Sequence, residues 1–246
     1  MQDISILSEI GGRSYNQDFV ATSQKNGKYC IVVADGLGSY NGSEIASRVA
    51  VEYRREWFNA NCDSEDLFVK SSISSALMRA HAKIIEQKEK DQSIKSSCTT
   101  IAFLVSDNNT SVMAHIGDTR IYEIKNGKIL YRSKDHSLAQ IAVERGEITA
   151  DEISKHQDQN KLLRVLGSDY YTDADISTDF FPLSYGDGFV ICTDGAWEFV
   201  FDREIEELFK NYDTSAVKLD KLRKLHDERA DEYCDNFTIA VMVKGE

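Results

Sequence analysis

Proline is almost absent from this chain, with one residue, Pro182, in 246. There are no proline-rich spacers, low-complexity stretches or internal repeats to mark a linker, so one domain over residues 1–246 is expected. Basic charge is also in short supply. Lysine and arginine number 29 against 41 aspartates and glutamates, a net charge of −12. Phosphate-backbone binding needs a basic face, so a nucleic-acid partner is excluded. No window approaches eighteen uninterrupted apolar residues, which excludes a helical membrane span. The opening MQDISILSEIGGRSYNQD lacks the basic head and apolar centre of a secretory signal, and a cytoplasmic protein is expected. Five scattered cysteines (Cys30, Cys62, Cys98, Cys192, Cys234) include no Cys-x-x-Cys pair. That excludes a disulfide framework and a cysteine zinc site, and implies reduced thiols. The five histidines, His81, His115, His136, His156 and His226, show no ligand spacing.

What is present is a series of short apolar runs separated by turn signals. Strands are expected over residues 4–10, 18–23 and 28–34, with Asn26-Gly27 as a hairpin signal between the last two. A helix is expected over 43–59, with Ile45, Val49, Tyr53 and Trp57 as its apolar stripe, and a longer one over 64–90 capped by Ser64. The middle reads as strands over 98–105, 111–116, 119–124 and 128–131, with a second tight turn at Asn126-Gly127. Helices are expected over 137–146 and over 149–156, the latter opened by a Thr-x-x-Glu capping box. The end reads as strand 188–193, helices 202–211 and 213–232, and strand 238–243. Hairpin-linked strands with helices in separate blocks imply an α+β fold of antiparallel sheets with helices packed outside.

Two stretches, VVADGLGSY and VICTDGAWE, each run a β-branched segment into Asp-Gly. A hairpin is one explanation, because Asp-Gly favours two-residue turns. A second appears when the acids at strand ends are collected: Asp18, Asp35, Asp118, Asp194 and Asp235. A strand end delivers its side chain to a fixed point on a sheet rim, and glycine lets backbone or a metal approach closely. Converging carboxylates repel unless cations lie among them. Oxygen ligands suit Mg²⁺ or Mn²⁺, whereas zinc and copper want histidine or cysteine. Taken singly, each aspartate reads more readily as a turn residue or a cap, and it is the ordered set that points to ligands.

Seven segments occur in a telling order: RSYNQD (13–18), ADGLG (34–38), IGDTRIY (116–122), DHS (135–137), LLRVLG (162–167), CTDGAWE (192–198) and DNFTIAVMV (235–243). Together they resemble the successive signatures of the metal-dependent protein phosphatases of type 2C, and the short chain is similar to the stand-alone bacterial members. The resemblance implies a four-layer α-β-β-α sandwich, two antiparallel β-sheets flanked by helices, with a binuclear Mg²⁺/Mn²⁺ centre at one end. It implies a monomeric serine/threonine phosphoprotein phosphatase that hydrolyses phosphomonoesters with a metal-activated water and opposes a serine/threonine kinase.

Matched motif by motif, Asp35 would bridge the two ions and the Gly36 carbonyl would bind the second. Asp194 and Asp235 would hold the first, and Asp118 with Asp194 a weaker third. Asp18 would orient metal-bound waters, and Arg13 would grip the substrate phosphate. On its own, Arg13 reads as a surface salt bridge. Two departures stand out. Leu37 occupies a position where many eukaryotic members carry histidine, which leaves protonation of the departing group to a metal-bound water. Ser39 replaces a second glycine of the loop. His115 reads as a satisfied core histidine, and Cys192 and Cys234 as small core residues. Residues 146–169 resemble the family's variable flap, their plainer reading being a surface helix pair. The alternative within the family is a catalytically silent member that binds phosphoproteins as a scaffold, against which stands the presence of every ligand. An unrelated acidic cation-binding protein would leave Arg13 and the strand-end placement of the aspartates without a reason.

Overall fold

The computed structural model describes residues 2–37, 42–180 and 182–246, and Gly38, Ser39 and Tyr40 lie outside them. Among the described residues, ten strands form two antiparallel five-stranded sheets. The first sheet runs β1 (Gln2–Glu9), β10 (Phe237–Lys244), β9 (Gly188–Cys192), β6 (Arg120–Lys125), β7 (Lys128–Arg132). The second runs β2 (Phe19–Lys25), β3 (Lys28–Ala34), β4 (Ile101–Ser106), β5 (Ser111–Ile116), β8 (Asp175–Asp179). Both expected two-residue hairpins form. Asn26 and Gly27 have φ of 51° and 74°, and Asn126 and Gly127 have 51° and 70°, the left-handed pair that matches strand twist.

Side-chain alternation then builds the layers. Tyr29, Ile31, Val33, Leu104 and Met113 of the second sheet face Ile121, Phe189, Ile191, Ala240 and Met242 of the first. The intervening residues Cys30, Val32, Ala34, Phe103 and Val105 lie under helices α1 (Ser43–Asn61) and α2 (Lys70–Lys90). On the far side, Tyr122, Val190, Cys192, Ile239 and Val241 lie under α5 (Asp202–Phe209) and α6 (Ser215–Asp227). Strands buried on both faces read as continuous apolar runs. The fold is the expected α-β-β-α sandwich.

The stripe of α1 differs from expectation. The helix buries Ala46, Ala50, Val51, Arg54 and Phe58, while Ile45 is exposed and Val49, Tyr53 and Trp57 pack at the edge. Small Ala46 and Ala50 let the helix lie close to the sheet. The Arg54 guanidinium stacks 3.8 Å from the Phe103 ring and 4.4 Å from that of Trp57, a cation–π burial that apolar periodicity does not register. Ser64 does cap, but it caps a 3₁₀ turn, Glu65–Phe68, before α2 begins. The Thr149 and Glu152 pair likewise opens a 3₁₀ turn, Ala150–Lys155. The helix expected over 137–146 forms as α3 (Leu138–Glu144), whereas strand β8 and the short helix α4 (Asp194–Trp197) have no counterpart among the expected elements. The cysteines are all free thiols, and no helix among the described residues is long and apolar enough to cross a membrane.

Candidate metal centre

Strand register brings the aspartates together. Asp18 precedes β2 and Asp35 follows β3, and the Phe19–Ala34 pairing sets them at neighbouring strand ends. In the other sheet, Cys192 at the end of β9 pairs with Arg120 and with Ile239. Asp118, Asp194 and Asp235 therefore leave adjacent strands at one rim. Two threonines join the rims, Thr193 and Thr238 donating to Asp18 Oδ2 at 2.8 and 2.7 Å. The Gln17 N–H donates to Asn236 Oδ1 at 2.8 Å in the same seam. Arg13, Asp35, Asp118, Asp194 and Asp235 line one cleft of about 860 Å³. Asp18 sits beneath it, only 5% exposed.

Neither Asp-Gly is a hairpin. Gly36 makes an isolated bridge with Thr99, and Asp194 opens α4. A Cβ at Gly36 would lie 2.5 Å from the Ser43 carbonyl oxygen and 2.8 Å from that of Gln17, so only glycine fits. Asp35 is clamped by its backbone: its N–H donates to Thr100 Oγ1 at 3.0 Å, and its carbonyl accepts from Thr100 N at 2.8 Å and Thr99 Oγ1 at 2.7 Å.

Burial and mutual repulsion raise the carboxyls of Asp18, Asp35, Asp118 and Asp194 together. Asp18 is pushed up to about 7, chiefly by burial, with the two threonine bonds opposing and Asp194 and Asp235 adding. Asp194 rises to about 6 through burial and then Asp235. Asp35 and Asp118 rise by burial first and Asp194 second. Glu198 is pushed up to about 8 by burial, then by Asp194 and Asp235. Asp18 Oδ1 and Asp118 Oδ1 are buried with no hydrogen-bond partner. Oxygen-only donors with free lone pairs, crowded until they resist ionisation, fit hard divalent cations.

Several supporting residues had no assigned role in the sequence. Asp135 of the DHS segment holds Arg120 in a buried two-point ion pair, at 2.9 and 2.7 Å. Arg120 in turn stacks 3.7 Å over Trp197, whose indole N–H donates to the Asp118 carbonyl at 2.9 Å. His136 Nδ1 accepts from Gly117 N at 3.1 Å, and the backbone N–H of His136 donates to the Gly117 carbonyl at 2.9 Å. The peptide before Asp118 is thus bracketed from two sides. The signal for these residues was the DHS segment itself, which carries no chemistry until its partners are seen.

Among the described residues, His115, His136 and Asp175 also bring ligand atoms within 4.8 Å of one another. They do not fit a metal. The two imidazoles stack 4.5 Å apart and 16° from parallel, and an ion must lie in the plane of each ring it binds. His136 Nδ1 is an acceptor, so its proton sits on Nε2, facing Asp175 Oδ2 at 3.3 Å. His115 is only half satisfied: Nε2 meets the Lys134 carbonyl at 2.7 Å, while Nδ1 is buried without a partner. That amends the expectation of a satisfied core histidine.

Arg13 pairs with Asp235 at 2.6 Å, so the surface salt bridge exists, with a cleft carboxylate as its partner. Of residues 146–169, only the second half reaches the cleft, through Asn160, Lys161, Leu162, Val165, Gly167, Ser168 and Asp169. Ile153 packs instead against the α5–α6 side.

Residues 8–230 match the model of the family described as protein phosphatase 2C. The protein phosphatase PhpP of Streptococcus pneumoniae is 27% identical over 247 residues, covering 99% of this chain and 98% of the relative. Among solved structures, serine/threonine phosphatase Stp1 from Staphylococcus aureus superposes with a TM-score of 0.88 at 23% identity, covering 100% of this chain and 96% of that one. The catalytic domain of the phosphatase PstP, in complex with two manganese ions, superposes with a TM-score of 0.84 at 22% identity, covering 100% and 99%. These two likenesses are likenesses of fold.

Proposed function

The chain belongs to the protein phosphatase 2C family and is a metal-dependent serine/threonine phosphatase, and we propose that it hydrolyses phosphoserine and phosphothreonine proteins at the acidic cleft. In this reading two Mg²⁺ or Mn²⁺ ions, with a weaker third, would be held by Asp35, the Gly36 carbonyl, Asp118, Asp194 and Asp235. The observation that carries it is the convergence of strand-end aspartates on one cleft, with buried oxygens left free of protein partners.

The ions, when bound, supply Lewis acidity toward the phosphoryl oxygens and lower the pKa of water. The rest falls to the chain. Arg13 offers a planar fork of donors to the non-bridging phosphate oxygens. Asp18, fixed by Thr193 and Thr238 through Oδ2, keeps Oδ1 free to accept a hydrogen from water and so orients it. Leu37 lines the cleft and has no proton to give, so the departing seryl or threonyl oxygen takes its proton from water. Residues 160–169 form the near wall, as the working part of a flap within a single domain over 1–246. A cytoplasmic monomer opposing a serine/threonine kinase completes the proposal.

The test is hydrolysis of p-nitrophenyl phosphate and of a phosphothreonine peptide. Turnover with Mn²⁺ or Mg²⁺, lost in excess chelator and regained on adding the ion back, is the expected result. Undiminished turnover in chelator overturns it.

A further inference from the structure

The walls of the cleft reverse the charge balance of the chain. Apart from the aspartates assigned to the ions, the charged lining is Arg13, Lys88, Lys95 and Lys161 against Asp169 alone, in a chain with 29 basic and 41 acidic residues. Lys88, near the end of α2, donates to the Gly167 carbonyl and lies 4.0 Å from Cys98 Sγ. It has no carboxylate partner among the described residues. Lys95 closes the 3₁₀ turn Gln92–Ile94, is exposed, and makes no ion pair among the described residues. Lys161, which enters the cleft with residues 160–169 and is itself 64% exposed, pairs with half-buried Asp158 three residues away at 2.7 Å. Such a pair is worth at most about 1 kcal/mol and yields readily to a better anion.

The cleft is also too large for a phosphoryl group alone. About 860 Å³ accommodates several residues of a bound peptide. Arg13 and the ions account for the phosphate, which leaves Lys88, Lys95 and Lys161 to face the residues flanking it. Cations lining a cleft in a strongly anionic protein cancel the repulsion that an acidic ligand would otherwise meet.

We infer that the cleft prefers phosphopeptides with aspartate or glutamate beside the phosphorylated residue, and that Lys88, Lys95 and Lys161 are the specificity-determining side chains. The inference rests on the phosphatase reading and names the substrate class of that same cleft. An exposed charge contact contributes up to about fivefold, so two or three together give roughly tenfold.

The test compares kcat/KM for two phosphothreonine peptides of equal length, one flanked by glutamates and one by lysines, with Mn²⁺ present. The acidic peptide should be favoured by roughly tenfold at low salt, with the ratio falling as salt screens the contacts. Lys95→Glu and Lys161→Glu should each reduce the ratio, and the double variant should invert it. Because the ratio is taken within each variant, any general loss of activity cancels. Lys224→Glu, on α6 and 68% exposed, is the control for the overall field and should leave the ratio unchanged. Equal rates for the two peptides overturn the inference alone, as does an unmoved ratio in both cleft variants, or an equal shift in the control. Hydrolysis of neither peptide overturns the phosphatase reading and this inference with it.

Discussion

The guanidinium of Arg13 and the carboxylate of Asp235 lie 2.6 Å apart, with their side chains 47% and 35% exposed. A pair this wet contributes little, so each partner is free to exchange the other for a stronger counter-charge. The loop carrying Arg13 is fixed independently of it. Gly12 N donates to the Cys234 carbonyl at 2.8 Å, and Asn236 Nδ2 donates to the Ile10 and Tyr15 carbonyls at 2.7 and 3.1 Å. A Cβ on Gly12 would lie 2.2 Å from the Glu232 carbonyl oxygen, so this loop needs its glycine. Arg13→Ala should therefore raise KM for a phosphopeptide by about 10- to 100-fold, the worth of charged hydrogen bonds. Calorimetry should find Mn²⁺ affinity unchanged or tighter, and a weaker metal site would contradict the assignment.

Asp35→Asn and Asp194→Asn separate a turn role from a ligand role. Asparagine keeps a side-chain carbonyl, and Asp194 Oδ1 accepts from Gly195 N at 2.7 Å, a bond Asn can retain. What each loses is one negative charge toward the cations. Turnover should fall by about a thousandfold or more in each while circular dichroism stays native, as for loss of a group acting on transition-state charge. Asp151→Asn, in the 3₁₀ turn on the α5–α6 side, should change little.

Asp18 gives the ion-free protein a pH signature. Its carboxyl is raised from 3.8 to about 7, so the folded state holds the proton more tightly than the unfolded chain. That stabilisation is complete below the unfolded value and is lost as pH rises through about 7. In chelator, the melting temperature of wild type should fall relative to Asp18→Asn between pH 4 and 7, by up to about 4 kcal/mol in stability. A difference that stays flat across this range would count against a buried, repelled Asp18.

His136→Ala removes the acceptor of the Gly117 N–H and leaves that buried donor unpaired. The cost should be about 1–3 kcal/mol, read as a fall of several degrees in melting temperature. Because the same peptide positions Asp118, kcat should fall more than KM rises. Loss of thermal stability with unaltered kinetics would show a structural bond only.

The hairpins at Asn26-Gly27 and Asn126-Gly127 were legible in the chain because turn type depends on φ and ψ of two residues, an energy decided locally. The aspartates were legible for a related reason, since each ends an apolar run at a glycine or a tight turn and recurs in a recognisable order. Tertiary packing decided the rest. It shifted the buried stripe of α1 by one position around Ala46 and Arg54, because the distance of the helix from the sheet outweighs apolar count. It made a strand of Asp175–Asp179, whose polar residues pair only as an edge beside β5. It placed Asp18 beneath the cleft through Thr193 and Thr238, and tied Asp135 to Arg120 and Trp197 beside Asp118. Asp18 and Thr238 are 220 positions apart in the chain. No local preference encodes such a contact, which exists only once two independently registered sheets are packed face to face.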